Sequence, residues 1–444
     1  VEATSERRVK FTFAEGENQE LPLILGQLQV FPKHYWQDRD FTKTTLEPPL
    51  TSGPYRIKDL DPGRSITYER VPDYWGKDLA VNKGRFNPEL MRYDYYRDAN
   101  VALAAFKSGE YDFRLENISK NWATQYVGPP FEAGKIVKET IEHDIPAGMQ
   151  CFVMNQRRPI FTDRRVRYAL AHAFDFEWTN EHLFYGMYKR TDSYFENSQL
   201  AADGPPEPEV LEILEPYREH LWPEVFTEDY EPPSTEGPHG LRKNLRKALS
   251  LLREAGWEVR DGVLTHKVTG VPFEFEILLV SASFERVVLP FTSNLKKLGI
   301  EASVRLVDTS QYINRIREFD FDMIVNVFGQ SLSPGNEQRW YWHSAAADMP
   351  GTRNYCGIKN EAVDALVGLV ISAPTREDLI NRCKALDRAL IWGHYVIPHW
   401  HSGFYNVAYW KKIRHPDGLP PYGLALDAWW IDPELAEMKM ETVN

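Results

Sequence analysis

The sequence predicts an α/β protein built of two lobes, and three observations carry this prediction. The chain has 444 residues, and single hydrophobic cores rarely grow beyond about 250–300 residues. Strand and helix patterns alternate both before and after residue 144. Between them, residues 144–178 combine a breaker, a buried strand, a polar turn and a capped helix. We therefore expect the chain to pass from a first lobe into a second within this stretch.

The elements of this crossing follow in order. Pro146 and Gly148 end the preceding element, and the apolar run 151–154 has the length of a buried strand. Residues 155–159 form a polar turn, and Thr162 and Asp163 indicate a helix start because a short oxygen-bearing side chain can accept the first free amide protons. The helix is indicated by apolar residues at helical spacing, namely Val166, Ala169, Leu170, Ala173 and Phe174.

The second lobe is predicted as a doubly wound α/β unit. Strands are indicated at 273–279, 300–306 and 323–328, and helices at 241–255, 284–298 and 313–319. Sheets of this kind bind ligands outside the carboxyl ends of their strands. The proline-rich stretch 203–240 cannot hold long regular elements, so we expect a surface excursion there.

Composition excludes several classes of protein. The net charge of -12 argues against a nucleic-acid partner, which needs clustered Lys and Arg. No run approaches the roughly 18 apolar residues of a membrane helix. Cys151, Cys356 and Cys383 lie far apart without metal-ligand spacing, so neither a zinc site nor a cofactor is indicated.

The loop after the strand at 323–328 is the strongest binding-site candidate by position. It reads GQSLSPGN at 329–336, and three aromatic residues follow within 340–342. Aromatic side chains can line a cleft through flat apolar contacts, although a core position explains them equally well. The candidates for ligand binding here are Phe328, Gln330, Ser331, Leu332, Glu337 and Trp340.

The remaining candidates lie where the chain passes between the lobes. Asn155 and Arg157 stand in the polar turn, where a guanidinium could bind a ligand carboxylate or simply face solvent. Trp400, His401 and Tyr405 lie on the returning segment. His401 and the histidine two positions before it could ligate a metal from one face of a strand. Packing at the hinge is the simpler interpretation, so we predict no metal site.

Five segments, in order along the chain, resemble the solute-binding proteins (family 5) of oligopeptide and dipeptide ABC importers. They are SGPYRI at 52–57, PDYWG at 72–76, ALAAFKSGEYDF at 102–113, the crossover with FVMN, PIF and DRRVRYALAHAFD at 152–175, and ALSLLREAGW at 248–257. The loop 331–339 and the pair Trp429 and Trp430 are most similar to the YejA branch of that family.

This resemblance implies a periplasmic binding protein of type II, with two lobes joined by a hinge and mixed sheets flanked by helices. Lobe I would comprise 1–147 and 399–444, and lobe II 148–398. A peptide or peptide-like compound would be captured in the cleft between the lobes and delivered to an ABC transporter permease. Such a protein is periplasmic and performs no reaction, so we expect no catalytic residue.

The N-terminus departs from the family pattern. The first matching segment begins at Ser52, well inside the first lobe of the family, and residues 1–8 carry no apolar region of a signal peptide. We therefore expect an exported protein whose signal peptide is not in this chain. We also expect that the N-terminal part of lobe I is missing, and the missing fragment is a candidate partner.

A second departure concerns the ligand's amino group. Members of the family commonly bind it with an aspartate of an Asp-Pro pair in the loop after the last strand of lobe II. Ser333 and Pro334 stand at the corresponding position here, and Glu337 is close enough in sequence to substitute. The ligand is thus either a peptide whose amino group is bound differently or a peptide-like compound.

Two rival functions remain open at this point. One is a metal-binding or metallophore-binding protein of the same fold, and the other is a carbohydrate-active enzyme with an aromatic cleft. The enzyme needs two facing carboxylates, but pairs of acidic residues are expected by chance in a chain with 64 of them. The chain has no nucleophile elbow, phosphate-binding loop, zinc-protease motif or dinucleotide fingerprint.

Overall fold

The computed structural model describes residues 1–13, 21–43 and 45–436. The chain divides into two compact units. The larger unit comprises Val1–Gly26 and Ile145–Ser402, and the smaller unit comprises Gln27–Asp144 and Gly403–Asn444. The chain therefore enters the main part of the larger unit at Ile145 and leaves it after Ser402.

Strands and helices alternate along most of the described chain. The strands are β1 (Glu2–Ser5), β2 (Arg8–Lys10), β3 (Tyr55–Asp61), β4 (Ser65–Arg70), β5 (Leu90–Asp94), β6 (Phe113–Leu115), β7 (Ile136–Glu142), β8 (Met149–Met154), β9 (Lys189–Arg190), β10 (Trp257–Arg260), β11 (Val263–His266), β12 (Glu274–Leu279), β13 (Glu301–Leu306), β14 (Met323–Phe328), β15 (Val396–Pro398), β16 (Trp400–His401), β17 (Phe404–Trp410), β18 (Ile413–Arg414) and β19 (Trp430–Ile431). The helices are α1 (Leu21–Gly26), α2 (Lys33–Trp36), α3 (Ala99–Ser108), α4 (Ser119–Thr124), α5 (Pro129–Glu132), α6 (Arg164–Ala171), α7 (Phe176–Phe184), α8 (Pro208–Leu214), α9 (Gly240–Glu254), α10 (Glu285–Lys296), α11 (Thr309–Arg317), α12 (Glu337–Trp342), α13 (Glu361–Ile371), α14 (Arg376–Ile391) and α15 (Pro433–Ala436).

The larger unit is organised around a five-stranded mixed sheet in the order β13-β12-β14-β8-β15. β12 pairs in parallel with both β13 and β14, as the alternation of strands and helices predicts. β8, the strand that follows the crossing, is antiparallel to its two neighbours β14 and β15. The expected mixed sheet is therefore present in this unit.

One end of this sheet collects the ends of four strands, and we call it the carboxyl edge. The register places Phe328, the last residue of β14, opposite Met149, the first residue of β8. Pro398, the last residue of β15, lies opposite Cys151 of β8. β12, β13, β14 and β15 therefore finish at the end of the sheet where β8 begins.

Both faces of the sheet are buried. Successive residues of a strand point to opposite faces, so neighbouring residues of β8 belong to different cores. Met149, Cys151 and Val153 of β8 belong to one hydrophobic core, which also contains α13 and α14. Phe152 and Met154 belong to a second core with α6, α9 and α10. α6 begins where Thr162 and Asp163 predict a helix start, and Asp163 is the residue that caps it, since its carboxylate accepts a hydrogen bond from the backbone of Arg165 at 2.8 Å.

Most of the stretch 203–240 is exposed, as the predicted surface excursion requires, but several of its apolar side chains are buried. The segment does lack long elements, and its helix α8 has seven residues. However, its apolar side chains enter the first core, namely Val210, Leu214, Leu221, Val225, Phe226 and Tyr230. Prolines do not prevent this burial, because Pro208 occupies the first turn of α8, where its missing N–H costs no hydrogen bond.

The smaller unit holds two three-stranded antiparallel sheets, β3-β4-β5 and β6-β17-β7. α3 is capped by Asp98 and ends at Gly109, whose φ of 83° is the left-handed conformation that terminates helices. Val407, Tyr409 and Trp429 form a small core beneath the second sheet. Within the described residues, no helix is long and apolar enough to cross a membrane.

Candidate functional site

Most of the predicted site residues lie in two regions, the loop after β14 and the segment after β15. Both regions lie at the carboxyl edge of the larger unit. β14 ends at Phe328, and the loop 329–336 leaves the sheet there. β15 ends at Pro398, and β16 (Trp400–His401) follows directly. Since α/β sheets bind ligands outside the carboxyl ends of their strands, this edge is the candidate functional site.

Four aromatic rings form a cluster at this edge, which we call the aromatic platform. Its members are Phe184, Tyr188, Phe284 and Trp400. The Trp400 ring lies 4.4 Å from Phe184 and 5.8 Å from Phe284, measured between centroids, and is nearly parallel to the second. Phe184 is buried, whereas the other three are half-buried. Such a surface can take apolar parts of a ligand with little demand on their sequence.

Sequence reasoning identified Trp400 and missed the rest of the platform. Phe184 ends α7, and Phe284 stands between β12 and α10. More than a hundred positions of the sequence separate Phe184 from Trp400, so no local pattern could reveal their contact. The available signal was the position of Phe284 at the start of the predicted helix 284–298, which follows a predicted strand.

The loop after β14 is fixed by a pair of glutamines. The Gln338 amide donates to Gln330 Oε1 at 2.7 Å, and the Trp342 indole donates to Gln338 Oε1 at 2.8 Å. The Ser331 hydroxyl accepts the backbone N–H of Ser333 at 3.2 Å, and the Leu332 carbonyl accepts from Arg376. These bonds tie the loop to α12 and to α14.

Glu337 is the acidic residue of this loop that sequence analysis proposed for a ligand amino group. Its Oε1 accepts from the backbone of Gly335 at 2.9 Å and from the Gln338 amide at 3.0 Å. Among the residues that the structure describes, no Lys, Arg or His lies within 4.0 Å of its carboxylate oxygens. The half-buried carboxylate therefore retains acceptor capacity for an added cationic group.

His401 is held inside the larger unit. Its Nδ1 lies 3.2 Å from the Thr191 hydroxyl, and its Nε2 lies 3.6 Å from Glu196 Oε1. Burial lowers the pKa of His401 to about 4, so the imidazole is neutral at pH 7. These contacts give His401 a role in fixing β16, which carries Trp400.

The segment around Glu196 also holds the residues at which the chain enters the main part of the larger unit. The backbone N–H of Ala147 donates to the Glu196 carbonyl at 2.8 Å, and the Asn197 amide donates to the Ile145 carbonyl at 2.9 Å. Glu196 also faces His401. The segment 196–197 of the larger unit therefore contacts residues near the point where the chain enters this unit and near the point where it leaves.

Asn155 and Arg157 lie at the other end of β8, away from the carboxyl edge. The six residues of β8 span about 20 Å. The buried Asn155 amide donates to the carbonyls of Phe319 and Phe321 at 3.1 and 2.8 Å. Arg157 donates to Asn155 Oδ1 at 2.8 Å and to three backbone carbonyls, including that of Tyr355. The structure therefore does not bring these two residues together with the other candidates.

The three remaining candidates occupy different environments. Phe328 is fully buried and packs 4.5 Å from the Trp342 ring, so it supports the loop from below. Trp340 is 51% exposed on α12. Tyr405 belongs to β17 of the smaller unit, where its ring lies 4.5 Å from His143. In the described part of the chain, no group of three His, Cys, Asp or Glu side chains could hold a metal ion.

Residues 1–349 match the family described as bacterial extracellular solute-binding proteins, family 5 middle. Two proteins of Agrobacterium fabrum align over 439 residues, or 97% of this chain. A probable peptide-binding protein YejA is 45% identical and is covered over 72% of its length. A peptidoglycan-binding protein YepA is 37% identical and is covered over 71% of its length.

The architecture also matches solved structures. The oligopeptide-binding protein AppA of Bacillus subtilis, in complex with a nonapeptide, superposes with a TM-score of 0.63 at 21% identity, over 90% of this chain and 72% of that one. This likeness shows the fold, which is the predicted type II periplasmic binding protein fold. Together with the family match and the 45% identity to YejA, it confirms the resemblance. The chain belongs to family 5 of the bacterial extracellular solute-binding proteins.

Proposed function

We propose that this protein captures peptides or peptide-like compounds outside the cytoplasm and delivers them to the permease of an ABC importer. The observation that carries the proposal is the 45% identity, over 97% of the chain, to a protein named as a probable peptide-binding protein. A solute-binding protein of this kind performs no reaction on its ligand. The rival of a carbohydrate-active enzyme is therefore not favoured.

The finer parts of the proposal follow from the sequence. They are the periplasm as compartment, a lobe I of 1–147 with 399–444, a lobe II of 148–398, and an N-terminal fragment as a further partner. We also place the ligand contacts of the larger unit at the carboxyl edge. There the aromatic platform would take an apolar side chain of the ligand. Glu337 would accept hydrogen bonds from its amino group.

A second ligand class has support of its own. The relative named as a peptidoglycan-binding protein is 37% identical over the same share of the chain. Peptides released from peptidoglycan share the backbone and amino groups of ordinary peptides but also carry sugars or unusual residues. They therefore fall within the peptide-like compounds of the proposal, and direct comparison of the two ligand pools would separate them.

Isothermal titration calorimetry with defined peptides tests the proposal. We expect the wild-type protein to bind a peptide, and Trp400→Ala to weaken binding by about tenfold or more through loss of aromatic contact area. Trp222→Ala is the matched control, because Trp222 is 40% exposed on the proline-rich stretch and packs against Arg164, remote from the platform. Its affinity should equal that of the wild type.

The two rival functions, metal or metallophore binding and carbohydrate processing, predict different results in this titration. Binding of a metal complex or an oligosaccharide, with no heat from any peptide or peptidoglycan fragment, would overturn the proposal. Equal loss of affinity in both tryptophan variants would reject the placement of the ligand at the platform.

A further inference from the structure

Arg190, beside the aromatic platform, carries a buried charge that the fold leaves without a partner. None of its three guanidinium nitrogens, which are all buried, has a hydrogen-bond partner among the described residues. Its guanidinium carbon lies 4.8 Å from the ring centre of Phe174 and 5.3 Å from that of Phe176. These rings attract a cation but accept no ordinary hydrogen bond.

The acidic residues nearest to Arg190 are engaged elsewhere or lie farther away. The Glu177 carboxylate accepts from the Ser234 hydroxyl at 2.9 Å and from the Thr235 backbone at 2.9 Å. Asp192 makes no ion pair within 4.0 Å of Arg190 in the described chain. Burial lowers the pKa of Arg190 to about 10, so the side chain is still charged at neutral pH.

A charge buried in this way opposes folding, and replacing it with an apolar side chain is often stabilising. The protein nevertheless keeps an arginine here, which suggests a use other than stability. The side chains of Arg190 and Trp400 point to the same face, because the two residues lie opposite each other across β9 and β16. The buried charge therefore stands next to the platform.

A second arginine lies beside the platform. Arg286 lies in the first turn of α10, and its guanidinium carbon is 5.7 Å from the ring centre of Phe184. It is half-buried and forms no ion pair with any carboxylate of the described residues. Both arginines thus lie beside the platform without an ion-pair partner among the described residues.

We propose that the two arginines beside the platform recognise a carboxylate on the ligand, so that the protein prefers peptides that carry this carboxylate to peptides in which it is neutralised. This inference rests on the proposed function and names the ligand class. Arg286 is accessible and contacts the carboxylate directly, where a guanidinium can donate two hydrogen bonds. Arg190 is buried opposite Trp400 and acts as a positioning residue, because its charge favours an anion beside the platform. The carboxylate is either a side chain or the C-terminus of the peptide.

The test uses a peptide in four forms that share one length. They carry glutamate or glutamine at one internal position, each with a free or an amidated C-terminus. Calorimetry on the wild-type protein should show about tenfold or tighter binding of a form that carries the recognised carboxylate. Tighter binding of the glutamate forms than of the glutamine forms would identify a side chain as the recognised carboxylate. Tighter binding of the forms with a free C-terminus than of the amidated forms would identify the C-terminus.

Two variants test whether Arg286 and Arg190 cause the carboxylate preference. Arg286→Gln should reduce the preference to less than about threefold while the fully neutral peptide binds as before. Arg190→Met should also reduce the preference, and should raise the melting temperature because an unpaired buried charge is removed. Arg242→Gln on α9 is the control, since this exposed arginine lies outside the platform and should change neither quantity.

The contrary results are distinct. If no form of the peptide binds, the proposed function itself fails. If all four forms bind equally well, the proposed function stands and the carboxylate preference is rejected. If Arg190→Met lowers the melting temperature and keeps the preference, Arg190 is a structural residue and its part of the inference is rejected.

Discussion

At the scale of single residues, Asp387 shows how the larger unit secures the segment next to Arg190. This carboxylate on α14 is 1% exposed and accepts three hydrogen bonds. The donors are the Ser193 hydroxyl at 2.5 Å, the Tyr194 backbone at 2.7 Å and the Ala202 backbone at 3.0 Å. The sequence could not reveal this, because an acidic residue on a helix is more often solvated.

We expect Asp387→Asn to destabilise the protein by about 2 kcal/mol, because the amide nitrogen would face backbone donors and leave one of them unsatisfied. Urea denaturation at pH 7 measures this change. Glu377→Gln is the matched control on the same helix, as Glu377 is exposed and its replacement should alter stability by less than about 0.5 kcal/mol. Equal midpoints for Asp387→Asn and the wild type would contradict the buried role of Asp387.

At the scale of elements, the contact between β8 and β14 at the carboxyl edge depends on Gly148. Its φ is +64°, and a Cβ atom built there would lie 2.5 Å from the Phe328 carbonyl oxygen and 3.1 Å from Gly329 Cα. No other residue fits this conformation and this approach without displacement of the backbone. Sequence analysis identified Gly148 as a breaker, but the steric reason required the neighbouring strand.

Gly148→Ala should therefore cost about 2 kcal/mol or more and disturb the edge that carries the candidate site. Gly329→Ala, one residue beyond Phe328, is the control, because no atom lies within 4 Å of the Cβ that it would add. Thermal denaturation and peptide titration of both variants provide the comparison. Similar losses in the two variants would show that the close approach of Gly148 is not what holds the edge.

Four of the five strands in the main sheet of the larger unit were predictable, whereas the relation between its loops was not. β14 spans Met323–Phe328, the residues that the apolar run predicts. Local periodicity also indicated β12, β13 and the helices between them. The polar turn with Asn155 and Arg157 was found as a turn, but a local pattern does not say at which end of a sheet a turn lies. The buried apolar side chains of 203–240 show the same limit, since burial depends on distant partners.

At the scale of the whole molecule, buried titratable groups predict how stability depends on pH. Burial lowers the pKa of His172 and His401 to about 4, so the stability that they contribute above about pH 6.5 is lost as pH falls through about 4. Burial raises the pKa of Asp387 to about 6, so its contribution is present below about pH 4 and is lost as pH rises through about 6. The two effects oppose each other between about pH 4 and 6.

Without the Asp387 carboxyl group, the loss of stability that the two histidines cause at low pH should no longer be offset. Between about pH 6 and pH 4.5, the free energy of unfolding should fall more steeply in Asp387→Asn than in the wild type. Urea titrations at these two pH values, with Glu377→Gln as control, measure the difference in slope. Parallel pH profiles for all three proteins would contradict the assignment of a raised pKa to Asp387.

The central claim, that the molecule is a carrier of peptides, is tested most directly by native mass spectrometry of the protein as purified, followed by denaturing release of whatever is bound. The account predicts a mass above that of the chain, and a peptide or a mixture of peptides after release. A released metal or sugar, or a mass of the bare chain that no peptide pool shifts, would contradict it.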